Sequence, residues 1–250
     1  MTLYQSDHVE YNTESGNIRI SLENGEMLPA YWAHPATGTK FPGVLLIHNW
    51  WGITEVIRLM ANRFAQTGYY VIVPDLFNGA KPQTHREALT VMKALGDASF
   101  ERLDAALTVL EEHHRCNAEV AAVGVGMGGS LAYEAAIKRT DLEVAVSFYG
   151  FPQKYLGQLA AANTPILAVY GDQDPFVPPA VVEKLKSELA SSPLAAKHLV
   201  KTIAGVGHGF FADKPNSTER ELSGVAWATA IDFIEDYITP PKKPVTKKKR

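Results

Sequence analysis

The chain has 250 residues, 46% hydrophobic and 20% charged, a balance that supplies a globular core and excludes a disordered, collagenous or coiled-coil protein. Net charge is −3, but six basic residues fall among the last nine, so residues 1–241 carry −9, the wrong sign for a nucleic-acid-binding face. A lone cysteine, Cys116, excludes an internal disulfide and a thiolate zinc site; with no signal-like segment and no apolar run near the ~18 residues of a membrane span, a cytoplasmic protein that meets no membrane is expected.

Ile18, Ile20 and Leu22 alternate with Arg19 and Ser21 up to Asn24-Gly25, and Met27 to Ala33 supplies a return strand. The pair reads as an antiparallel hairpin with a type I′ turn, and Pro29 points to an edge position. From Pro42 onward, short apolar runs alternate with helical patterns. Val44–Ile47 predicts a strand, Val56 to Ala65 a helix ended by Gly68, and Tyr70–Val73 a strand closed by Pro74-Asp75; a polar loop then leads into a helical stretch ending near Cys116. Strands follow at Val120–Val125, Val144–Phe148, Ile166–Tyr170 and His198–Ile203, with helices at Gly129–Lys138, Val181–Leu189 and Thr218–Ile238; Thr218 with Glu221 resembles a capping box. Continuously apolar strands must be covered on both sides, so the pattern predicts an α/β fold: a mostly parallel central sheet with helices on both faces, preceded by the antiparallel hairpin. One domain over residues 1–241 is expected, with 242–250 as a solvated, disordered basic tail.

Ligands of such sheets bind beyond the carboxyl ends of the strands. Four loops lie there: His48-Asn49-Trp50-Trp51-Gly52, Gly126-Met127-Gly128-Gly129, Gly171-Asp172-Gln173-Asp174-Pro175, and Gly205-Val206-Gly207-His208-Gly209-Phe210. A glycine-rich strand-to-helix turn, then an acid, then a histidine, each after a later strand, is the chain order of an α/β hydrolase. Gly124, Gly128 and Gly129 meet the steric demand of a sharp elbow, yet the elbow position is itself Gly126, which offers neither oxygen nor sulfur to attack a carbonyl. Ser130 lies inside the following helix, where its hydroxyl is expected to bond backbone and point away from the elbow. Cys116 precedes the strand, at the far end of the sheet, and reads as a structural thiol. The adjacent His113 and His114 diverge if helical and read as solvated surface rather than a metal pair. No metal or cofactor is implied. Trp50, Trp51, Phe210 and Phe211 point to an apolar ligand group near the strand ends.

The segments PGVLLIHNWWG, GYYVIVPDLF, VGVGMGG, YGDQDPFVP and GVGHGFF, in that order, make the chain resemble the dienelactone hydrolase (carboxymethylenebutenolidase) family of α/β hydrolases from Gly16 to Tyr237. The resemblance implies a cysteine nucleophile at position 126, acid Asp174, base His208, an oxyanion hole from the Met127 and Trp50 backbone N–H groups, and hydrolysis of small carboxylic esters or lactones. Asn49, Trp51 and Phe210 are then expected to line the substrate pocket. Three positions depart from the family: Gly126 replaces the nucleophile, Asn49 stands where members often place a carboxylate, and Ala212 stands where dienelactone hydrolases use an arginine for a substrate carboxylate. Dienelactone itself is therefore not the expected substrate. Three readings stay open at this point: a hydrolase weakened by loss of its covalent step, a non-catalytic protein binding a small carbonyl or carboxylate ligand, and a cysteine enzyme with a one-base change at this codon. The expected partner is a small-molecule ester, lactone or carboxylate, and the expected state a monomer or weak homodimer.

Overall fold

Strand β3, Phe41–Ile47, is buried at every residue, and so are β4, Tyr70–Pro74, β6, Val144–Phe148, and β7, Ile166–Gly171. Runs of this kind have no solvent face to give up, which places them inside a sheet covered on both sides. The computed structural model describes residues 11–211 and 217–241; the predicted basic tail at 242–250 and Ala212 lie outside the described residues. With β1 (Thr13–Ser21), β2 (Met27–Pro35), β5 (Cys116–Val125) and β8 (Leu199–Ile203), these strands make one eight-stranded sheet in the order β1-β2-β4-β3-β5-β6-β7-β8. β1/β2 and β2/β4 pair antiparallel and the rest parallel, giving the α/β architecture with its N-terminal antiparallel hairpin. Helices α1 (Glu55–Gln66), α2 (His85–Leu95), α3 (Ala98–Glu112), α4 (Met127–Lys138), α5 (Pro179–Leu189) and α6 (Ser217–Glu235) pack around it. α1 meets α6 through the Phe64 and Trp227 rings, 4.5 Å apart. α3 is tied to the end of α4 by the Arg139 guanidinium, which reaches Asp104 and Glu111 at 2.7 Å.

Several local expectations are corrected. The hairpin turn is not type I′, because of its two central residues only Gly25 has positive φ (82°); Leu22 accepts from the Gly25 N–H, and a type I turn followed by one left-handed glycine closes a three-residue loop. Pro29 is not on an edge strand. β1 is the edge, and β2 tolerates Pro29 because its ladder to β4 covers only Ala30–Ala33. The long helical stretch before Cys116 is two helices, broken where Gly96 takes φ 49° and ends α2. Because α3 stops at Glu112, His113 and His114 leave the helix and do not diverge; their rings lie 4.4 Å apart and His113 stacks on Tyr70. α6 begins at Ser217, so Thr218 sits within its first turn rather than capping it.

Chain order sets where a ligand can enter. The chain runs from β3 to β4 on one side of β3, then returns to β5 on the other side. The connections after β3 and β5 therefore part at their carboxyl ends, and a crevice opens between them.

Candidate active site

The loops after β3 and β5 meet in that crevice. β5 ends at Val125, and Gly126 turns the chain into α4 with φ 58° and ψ −114°, a conformation that glycine adopts freely. Its N–H donates to the Phe148 carbonyl at 2.9 Å and its carbonyl accepts from the Ser130 N–H at 3.1 Å, so the turn is held from both sides. A Cβ on Gly124 would strike the Gly128 carbonyl, and one on Gly128 would strike the Ile47 carbonyl. The start of α4 thus lies directly on the ends of β3 and β5. At Gly126, by contrast, a Cβ would meet only Asn49 Cβ at 3.5 Å and the Tyr149 ring at 3.7 Å, ordinary contacts. Gly124→Ala and Gly128→Ala should each cost more than about 3 kcal/mol or prevent folding, whereas Gly126→Ala should cost about 1–2 kcal/mol of left-handed strain. Urea unfolding of the three variants checks the contrast.

His208 follows β8 in a glycine-rich loop, and its Nδ1 lies 2.8 Å from Asp174 Oδ2. Asp174 is buried, and its Oδ1 accepts from the Phe176 and Val177 N–H groups at 2.8 and 3.1 Å. Burial works to raise the Asp174 carboxyl, but the bonds from His208 and these two amides outweigh it and hold its pKa below the usual carboxylate value. An ionised Asp174 puts the His208 proton on Nδ1 and leaves Nε2 as a free lone pair, the state a general base needs. The rings of Tyr149, Phe151 and Phe176 surround the imidazole at 5.1–5.2 Å.

Beyond β3, His48 is fully buried. Its Nδ1 sits 2.6 Å from the Asn49 carbonyl, and its Nε2 accepts the Leu76 N–H at 3.1 Å. Accepting at Nε2 fixes the proton on Nδ1, which then donates to Asn49. That bond also sets the Asn49–Trp50 peptide: it is trans, so the Trp50 N–H faces away from His48. Met127, first residue of α4, has an N–H with no partner inside the helix. Asn49 Oδ1 accepts the Trp51 N–H at 3.0 Å, so this oxygen is held by its own loop. Burial pushes the His48 pKa down. Such a group gives stability that is full above the unfolded pKa of about 6.5 and is lost as pH falls through the lower native value. Denaturation curves should weaken below about pH 6.5, and less steeply in His48→Asn.

Asn49, Trp50, Trp51, Gly126, Met127 and His208 all line one cavity of about 1360 Å³. Phe210, expected on its wall, is instead buried 4.7 Å from the Tyr149 ring, and its neighbour Phe211 lines the cavity. Ser130 reaches the wall, but its Oγ accepts the Phe151 N–H at 2.9 Å and lies 3.4 Å from the Gly126 carbonyl. Cys116 is buried at the start of β5, at the other end of the sheet. The sequence reading missed Tyr149, whose ring lies 5.1 Å from that of His208 and would meet a side chain at position 126, and which holds φ 41°, rare for a non-glycine residue. Its position directly after the apolar β6 run was the available signal. Among the described residues no histidine, cysteine and carboxylate cluster could hold a metal, and no helix is long and apolar enough to cross a membrane.

The dienelactone hydrolase family model matches residues 28–238. The chain belongs to the dienelactone hydrolase family. A relative from Methylorubrum extorquens named "Putative carboxymethylenebutenolidase" is 25% identical over 239 residues, spanning 89% of this chain and 81% of that one. "Protein usf" of Aquifex pyrophilus is 28% identical, over 87% of this chain and 96% of that one. A solved dienelactone hydrolase-like promiscuous phosphotriesterase from metagenomic libraries superposes with TM-score 0.76 at 19% identity, covering 90% and 99% of the two chains, a likeness of fold. In this chain Gly126, Asp174 and His208 follow the ends of β5, β7 and β8.

Proposed function

We propose that this dienelactone hydrolase family member hydrolyses carboxylic esters or lactones slowly, with a water molecule taking the role of the absent nucleophile. The observation that carries this reading is the Asp174–His208 pair, held at 2.8 Å with the acid buried and fully hydrogen-bonded beside an elbow that has no side chain. His208 Nε2 takes a proton from water, and the resulting hydroxide adds to the carbonyl carbon. The oxyanion receives the Met127 and Trp50 N–H groups, as donors preorganised for developing charge. Collapse breaks the ester C–O bond, and His208 Nε2–H returns its proton to the leaving oxygen, so no metal or cofactor is needed.

A positioned general base contributes typically about 10²–10⁴ in rate, far less than a complete covalent triad. The experiment is turnover of an activated aryl ester by the native protein and by His208→Ala. Native turnover that His208→Ala reduces to background supports the proposal. The bare elbow at Gly126 favours a second reading, a carbonyl- or carboxylate-binding protein without chemistry; saturable binding of the product acid with no turnover by the native protein would establish that instead.

A further inference from the structure

The cavity is larger than a small lactone requires. About 1360 Å³ exceeds the ~300–1,000 Å³ usual for a drug-sized ligand. Its extra length lies along α2. Ala88 and Leu95 are buried, with Val91 between them half-buried against the core. Leu89, Met92 and Leu95 line the cavity, and Leu89 is 41% exposed, an apolar side chain with no covering partner among the described residues. His85, Leu89, Met92 and Gly96 fall at the spacing of one helix face. The face begins next to the reacting end, where the His85 ring lies 5.4 and 5.2 Å from the Trp50 and Trp51 rings. Along the cavity wall, from Leu89 to Gly96, the stripe runs about 10 Å, roughly the length of an extended chain of nine carbons. Its lining carries both signs of charge, Arg58, Lys81 and Lys154 with Glu55 and Asp97, so no single charge is selected there.

From these observations we infer that the ligand is a carbonyl compound with a long, uncharged alkyl arm, laid along the Leu89–Met92 face of α2 with its carbonyl at Gly126. The inference rests on the ester-hydrolase reading for which end is the reacting end, and it names the class: esters of medium-chain rather than short-chain groups. Each methylene removed from water strengthens binding, so occupancy of this groove must show as chain-length dependence.

The test is a titration of the native protein with linear methyl ketones bearing propyl to nonyl chains, followed by calorimetry. Ketones present the carbonyl and cannot be hydrolysed, so the result is independent of whether the protein turns anything over. Affinity should rise about threefold per methylene, making the nonyl ketone at least about 100-fold tighter than the propyl ketone. Leu89→Asp, at an exposed position that does not endanger folding, should weaken the nonyl ketone at least about tenfold more than the propyl ketone. Equal affinities along the series, no binding by any member, or the same chain-length dependence in Leu89→Asp would overturn the inference. Loss of turnover in the hydrolase assay would leave it standing.

Discussion

Gly126→Cys should hydrolyse an activated aryl ester at least about 100-fold faster than the parent, a modest share of the roughly 10⁶ that a nucleophile contributes in a complete triad. The backbone is ready for it: Gly126 already has the turn conformation, and a Cβ there meets nothing closer than 3.5 Å. The strain of a side chain at φ 58° costs stability, about 1–2 kcal/mol, without obstructing the site. The new thiol would open into the same cavity as His208, the base proposed to draw off its proton. Asn49 limits the gain, since its amide is bonded to its own loop and adds no charge to tune the thiol. A thiol reagent should label the variant once and the parent not at all. Cys116 is no competitor, because it is buried and burial pushes its thiol pKa up. A labelled variant without added activity would mean that the surroundings no longer support acyl transfer, and would favour the binding reading.

Asp174→Asn should remove native turnover nearly as completely as His208→Ala, a loss of about 10²-fold or more. The two carboxylate oxygens have separate tasks. Oδ1 accepts the Phe176 and Val177 N–H groups, and Oδ2 faces His208 Nδ1. Asparagine keeps its oxygen toward the two amides and so turns its NH₂ toward the imidazole. Nδ1 must then accept, the proton moves to Nε2, and the base is gone with the fold intact. An unchanged rate with unchanged stability would separate Asp174 from the chemistry.

Much of the fold was legible because buried parallel strands are continuous apolar runs: Val44–Ile47 and Tyr70–Val73 lie inside β3 and β4, and Val144–Phe148 is β6 itself. The break between α2 and α3 was not, because Gly96 interrupts a helical pattern that continues on both sides of it. The order of the strand-end loops could be read as an acid and a histidine after a tight turn, since glycines mark each loop. Which side chains face the cavity could not: the loop at 205–211 has no period, Gly209 within it takes φ 75°, and Phe211 rather than Phe210 lines the cavity. His48 read as the start of a loop, whereas it is a fully buried residue that fixes the next peptide. Tyr149 was marked only by its place directly after the β6 run; its contacts, like those of the Leu89–Met92 face, join distant elements, which no local pattern encodes.

In the mechanism we propose, His208 activates water directly and no acyl group is passed to the protein. Rapid mixing of the native protein with an excess of an activated aryl ester tests this most directly. Direct hydrolysis predicts linear release of the phenolate from the first turnover, with no burst, and its loss in His208→Ala. A burst equal to the protein concentration, or an undiminished rate in His208→Ala, would contradict the account.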